Sequence, residues 1–175
     1  PCYTKSIYTE WIPRSKGGGF VGNHPLTVVS NPAYEKGRER QYDEWLGDNE
    51  LKFTTYWFVL MKVNDSWEQA VIPFTSSQLR VSRKLTQDIN RFRYDDASIA
   101  PPLFAQSWKL KSVLETSKNG DDYYNFDFVE PKVLDFEDDE SILSLASDTY
   151  KTASDTPLLQ TEEKPQLVDS AAMPY

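Results

Sequence analysis

Residues 51–63 read Leu51-Lys52-Phe53-Thr54-Thr55-Tyr56-Trp57-Phe58-Val59-Leu60-Met61-Lys62-Val63. Aromatic and β-branched residues fill the stretch, and these favour a pleated strand. Strand side chains alternate between faces. One face therefore carries Leu51, Phe53, Thr55, Trp57, Val59, Met61 and Val63, enough apolar volume to fill a core. The other carries Lys52, Thr54, Tyr56, Phe58, Leu60 and Lys62, with two cations around two rings. Asn64-Asp65-Ser66 supplies a turn, and Trp67–Phe74 returns as a second strand.

Upstream, residues 2–12 alternate and predict a strand at a sheet edge. Residues 13–50 hold Pro13, Gly17-Gly18-Gly19, Pro25 and Pro32, and predict a long irregular excursion with a short helix or strand near 38–46. Downstream, residues 75–93 switch to helical period. Val81, Leu85, Ile89 and Phe92 fall in one sector of ~80°, and Arg80, Arg83, Lys84 and Arg91 lie opposite. Thr75-x-x-Gln78 fits a capping box. Pro101-Pro102 closes a loop that begins at Asp95. Residues 103–116 predict a strand with Phe104, Trp108 and Leu110 on one face, and Lys109 and Lys111 on the other. An Asn119-Gly120 turn within Lys118–Asp121 returns the chain as Tyr123–Val129. Tyr124, Phe126 and Phe128 share one face there, and Tyr123 takes the other.

Five strands with a helix between the third and fourth is the arrangement of an OB-fold, a barrel that binds single strands or oligosaccharides on one face. The expected fold is mainly β: a five-stranded OB-fold-like barrel with one amphipathic helix and an acidic, largely disordered C-terminal tail. Residues 1–130 form the nucleic-acid-binding body in this reading. Residues 131–175 form the tail, with a short helix over 137–150 and disorder from 151.

The charge divides along the same line. Residues 1–118 hold 16 Lys+Arg against 13 Asp+Glu, and residues 119–175 hold 3 against 14. A mildly basic, aromatic-rich body thus carries a strongly acidic C-terminal region, a pattern of nucleic-acid or partner binding. The pI of about 4.7 argues against nucleic acid only if the two regions share one field. Cys2 is the single cysteine, so neither an internal disulfide nor a cysteine zinc site is available. His24 is the single histidine, which excludes a histidine metal centre. No apolar run approaches the ~18 residues of a membrane span. Pro1-Cys2-Tyr3-Thr4-Lys5 is polar and lacks both an initiator Met and a signal-peptide pattern. The expectation is a soluble, cytoplasmic protein without a membrane partner.

Single-stranded nucleic acid asks for cations at phosphates and π faces at bases. Lys52, Tyr56, Phe58, Lys62, Lys109, Lys111 and Tyr123 answer that need from the strands, and Arg80, Arg83 and Lys84 from the helix. Arg14-Ser15-Lys16-Gly17-Gly18-Gly19 is not a phosphate loop, because no Gly-Lys-[Ser/Thr] follows. It reads either as a connector or as a mobile loop that closes two cations over a strand. Glu137-Asp138-Asp139-Glu140 is a contiguous acidic run, whereas metal catalysis needs carboxylates converging from separate elements. Neither a catalytic set nor a metal site nor a cofactor is implied. The terminal Met173-Pro174-Tyr175 gains nothing for folding and reads as a docking tip.

Three segments occur in an order that carries a resemblance. They are Trp11-Ile12-Pro13-Arg14-x-x-Gly17-Gly18-Gly19, then Thr75-Ser76-Ser77-Gln78-Leu79-x-x-Ser82-Arg83, then Pro101-Pro102-x-Phe104. Over roughly residues 10–130 the body resembles phage-encoded single-stranded DNA-binding proteins with an OB-fold and an acidic tail. Met173, Pro174 and Tyr175 stand where such proteins end in a short apolar tip, although Ser170-Ala171-Ala172 separates them from Asp169. The resemblance implies cooperative, sequence-tolerant coating of single strands in phage DNA replication or recombination. It also implies recruitment of replication or recombination proteins through the tail. A homo-oligomer is compatible with it. The rival readings are a protein-interaction or virion-assembly module without nucleic-acid binding, a recombination enzyme or nuclease, and an RNA-binding OB module.

Overall fold

The computed structural model describes residues 1–91, 93, 101–117, 119–135 and 137–155. Its strands are β1 (Tyr3–Ile12), β2 (Gly19–His24), β3 (Tyr34–Lys36), β4 (Glu44–Leu46), β5 (Asn49–Val63), β6 (Ser66–Thr75), β7 (Gln106–Thr116) and β8 (Asp122–Val133). Its helices are α1 (Leu79–Arg91) and α2 (Glu140–Asp155). The chain is mainly β.

The 51–63 stretch is the spine. β5 is long enough for one edge to pair with β1 along Glu50–Phe58, while the other edge pairs with β4 at Asn49–Leu51 and with β6 along Thr54–Val63. The resulting antiparallel sheet runs β2-β1-β5-β4-β3, with β6 as a further partner of β5. Asn64 and Asp65 both adopt positive φ (46° and 66°), the conformation that lets a two-residue turn follow the sheet twist. Pro73 sits in β6, whose outer edge carries no ladder among the described residues, so its missing N–H costs no pairing there.

Several expectations change here. β1 is not an edge strand, because β2 and β5 flank it. Residues 13–50 contain β2, β3 and β4; the latter two are three-residue strands, too short to show alternation. The barrel does not close. β7 and β8 form their own two-stranded sheet, and among the described residues no ladder joins it to the larger one. The hairpin is held by side chains instead: Phe126 and Phe128 lie 6.0 and 6.2 Å from Phe74. Counting only the long strands, the chain order is nevertheless three strands, a helix and two strands.

Trp57, Val59, Phe74, Val81, Leu85 and Ile89 make the main core, with α1 laying its apolar stripe on the odd face of β5. The Trp57 indole N–H donates to the buried Ser82 hydroxyl at 2.8 Å. Tyr8, Val28 and Leu51 form a second cluster at the other end of the sheet. The capping box is not made: a 3₁₀ turn over Ser76–Gln78 leads into α1, Thr75 gives no side-chain capping bond, and Ser76 stands at φ 49°.

β8 continues past residue 130 to Val133, and α2 packs back on the body. Leu143 joins Ala105 and Leu134, the Gln69 amide donates to the Thr149 hydroxyl at 3.0 Å, and Tyr150 meets Tyr3 edge-on at 5.7 Å. Residues 151–155 are helical, which corrects the expected disorder from 151; burial of Ala146, Thr149 and Ala153 holds the helix in register on the body. Phe92, the 94–100 segment, Lys118 and residues 156–175, including the Met173-Pro174-Tyr175 tip, lie outside the described residues.

Candidate nucleic-acid interface

The ten proposed strand-binding residues separate into groups. Lys52 and Lys62 stand ten residues apart on β5, roughly 30 Å. Lys52 Nζ lies 2.6 Å from Glu50, and Lys62 Nζ lies 3.2 Å from Asp65. Lys109 and Lys111 both reach Glu130, at 3.2 and 3.7 Å. Arg80 donates to Glu115 at 2.6 Å and Lys84 to Asp127 at 2.9 Å, so these two helix cations tie α1 to the hairpin. Arg83 is exposed and has no such partner among the described residues. Exposed pairs of this kind add little stability and are screened by salt. A phosphate oxygen can therefore take the place of a carboxylate at modest cost.

The hairpin network also shapes its own titration. Glu115 accepts from Asn125, Tyr123 and Arg80, and these donors hold its carboxyl below the ordinary range. The same carboxylate raises the Tyr123 phenol, whose hydroxyl donates to Glu115 at 2.8 Å. Asp127, as the acceptor of its hydrogen bond, raises Lys84.

The even face of β5 is more closed than alternation alone implies. Thr9 and Thr54 are buried and their hydroxyls lie 3.1 Å apart, and Ile7 beside them is buried too. Tyr56 lies directly opposite Lys5 on β1. Phe58 lies opposite Tyr3, ring centres 5.9 Å apart, and Tyr3 in turn meets Tyr150. Phe58 is thus the first ring in a chain that runs through Tyr3 and Tyr150 to Phe104.

A cleft of about 640 Å³ opens where the Pro13–Gly19 loop, β5 and the turn into α1 meet. Trp11, Arg14, Lys52, Thr75 and Ser76 line it, with Glu39 and Glu50. Trp11 is 39% exposed. Its ring is braced edge-on by Phe20 at 5.5 Å, and its N–H donates to Thr9 at 3.1 Å. A bracing contact on one side fixes a ring without covering it. Trp45 also lines the cleft, is 5% exposed, and has an indole N–H without a partner among the described residues; the Arg38 guanidinium lies 4.8 Å from its ring centre. Gly17 and Gly18, at φ 101° and 69°, turn the loop in a conformation other residues enter at a cost, and neither position has a neighbour that a side chain would strike.

Of the proposed set only Lys52 belongs to this cleft. Trp11, Thr75 and Ser76 were not singled out as binding residues, because periodicity says nothing about which distant segments meet. The signal that existed was the pair of segments Trp11–Gly19 and Thr75–Arg83, whose leading residues converge here. Elsewhere, Glu10 accepts from Asn49 and pairs with His24, both at 2.6 Å, which accounts for the single histidine structurally. Among the described residues no three His, Cys, Asp or Glu side chains gather as metal ligands, and no helix is long and apolar enough to cross a membrane.

A family model described as Pam3 phage gp34-like protein matches residues 1–158. The chain belongs to the Pam3 phage gp34-like family. That membership points to a phage origin, and its span takes in the cleft, both helices and the hairpin. No curated protein and no solved structure matches the chain.

Proposed function

We propose that this gp34-like protein binds single-stranded DNA with little sequence preference, in phage replication or recombination. The observation that carries the reading is the cleft, where a braced, exposed Trp11 stands beside Arg14 and Lys52 under a glycine loop. An aromatic face suits any base, cations suit any phosphate, and glycines let backbone approach closely. Order along the long strands, three strands then helix then two, supports an OB-fold-like descent for the body, with the closing ladder replaced by packing of Phe126 and Phe128. Lys62, Lys109, Lys111 and Arg83 extend the cationic track. Tyr56 and Tyr123 are secondary contacts, and Arg80 and Lys84 serve first to hold α1.

The acidic region tempers binding by competing for the same cations. Most of its charge is in the folded part: residues 131–155 hold seven carboxylates against two lysines, and residues 156–175 hold three against one. Met173-Pro174-Tyr175 docks replication or recombination proteins in this reading.

Oligo-dT binding followed by fluorescence anisotropy tests the cleft. Trp11→Ala is expected to weaken binding by about 1–3 kcal/mol, the value of one stacked base. Lys52→Ala combined with Arg14→Ala is expected to weaken it further and flatten its salt dependence. Unchanged affinity in both variants would remove the cleft from the interface. The alternative, a protein-interaction or virion-assembly module, is favoured by Leu114 and Tyr124. They lie directly opposite each other near the hairpin tip and are 60% and 74% exposed. It predicts a stable assembly and no salt-sensitive DNA binding.

A further inference from the structure

A second cavity, of about 410 Å³, lies between β5, β7 and α2 at the far end of the body from the cleft. Its walls are aromatic, with Trp67, Trp108, Phe104 and Phe128 among them. Two buried polar atoms of residues in its wall have no partner among the described residues: the Trp108 indole N–H, a donor, and the Gln106 side-chain carbonyl, an acceptor; both are closed off from the cavity in the unbound form. Gln106 is 3% exposed, and its amide end is already used on the Pro101 carbonyl. Buried polar atoms are rarely left unpaired, and each costs free energy when it is. Lys62 and Lys109 are exposed lining residues, so the cavity has a cationic rim. Each pairs with an exposed carboxylate, Asp65 and Glu130 respectively.

Glu130 marks how this site is shaped. β8 carries a bulge opposite Trp108, and Glu130 within it adopts φ 53° ahead of Pro131. Bulges re-aim side chains and end regular pairing, often beside functional sites. Here the bulge leaves Trp108 without a ladder partner residue and brings one carboxylate to both Lys109 and Lys111.

We propose that this cavity receives one unstacked nucleobase, that Trp108 and Gln106 shift on binding so that the Trp108 N–H donates to it and the Gln106 carbonyl accepts from it, and that Lys62 and Lys109 meet the adjoining phosphate. The Watson–Crick edge of every base places a donor next to an acceptor, so one donor and one acceptor in the wall accept any base. Flat aromatic walls fit its faces. The site deepens the strand-binding reading and rests on it for the source of the base; a free mononucleotide carries the same chemistry.

The test uses the full chain and two probes, dTMP and oligo-dT, read by the NMR resonances of the five tryptophan indole N–H groups. Trp108→Phe assigns one resonance and removes only the donor, and circular dichroism checks its fold. Addition of dTMP is expected to shift the Trp108 resonance, while deoxyribose 5-phosphate leaves it unmoved. Trp108→Phe is expected to weaken dTMP binding by about tenfold, the scale of one buried hydrogen bond. Lys62→Ala and Lys109→Ala, both at the surface, are expected to weaken dTMP and leave thymidine unaffected. Oligo-dT binding that neither moves the Trp108 resonance nor responds to any of these variants would overturn the pocket and leave the strand reading standing. A dTMP response without oligo-dT binding would support the pocket as a mononucleotide site and reject the strand reading. Silence towards both probes would reject both.

Discussion

Trp57 shows how much one residue can commit. Its place with Val59 and Met61 on the odd face of β5 was readable from alternation, and the main core forms there. What alternation did not give was its polar partner, because Ser82 lies 25 residues on and only the packing of α1 brings it near. Ser82→Ala leaves a buried indole N–H without an acceptor. The expected cost is about 1–3 kcal/mol, read as a shift in the urea midpoint with an unchanged slope. An unchanged midpoint would mean that the bond contributes nothing net. At the cleft, Gly18→Ala places a side chain at φ 69° with no steric neighbour. It is expected to cost about 1 kcal/mol of backbone strain and to lower oligo-dT affinity if the loop closes on the strand.

At the scale of elements, α1 was legible and its tie to the hairpin was not. The stripe Val81, Leu85 and Ile89 is buried as its spacing required. The sequence shows its cations without their partners. Arg80 and Lys84 meet Glu115 and Asp127, which lie 35 and 43 residues away on the hairpin. This network makes a pH prediction. The Glu115 carboxyl is held below its ordinary value of 4.5, so the stability it contributes is complete above that value and is lost as pH falls through the lowered one. Glu115→Gln is therefore expected to lower stability near neutral pH and to flatten the loss of stability below pH 4.5. Denaturation midpoints from pH 3 to 7 would show this; parallel profiles for the two proteins would contradict it. The short strands β3 and β4 carry the opposite lesson, since three residues between turns leave no period to read.

For the whole molecule, the acidic region proves to be partly structure. A short helix over 137–150 was readable from its apolar spacing; its packing on the body was not, because seven carboxylates in residues 131–155 outweigh the few apolar positions that α2 buries. Leu143, Ala146, Thr149 and Ala153 recur at helical spacing all the same, and they are the buried ones. The failure of the barrel to close was also out of reach, since a ladder depends on edges that meet, and β5 gives its second edge to β4 and β6. Two truncations separate the roles of the region. Removing residues 156–175 leaves every described element in place and is expected to raise apparent oligo-dT affinity at low salt. Removing residues 134–175 takes α2 away from Tyr3 and Phe104, and is expected to lower the thermal midpoint by several degrees. Equal affinity of the first truncation and the full chain at low salt would reject competition by those residues.

The central claim is single-strand binding, and its most direct measurement is a titration of the full chain with fluorescent oligo-dT and a matched duplex at two salt concentrations. The account predicts binding to the single strand only, quenching of tryptophan fluorescence, and an affinity that falls as salt rises. No binding to oligo-dT at low salt, by the full chain or by the form ending at Asp155, would contradict it.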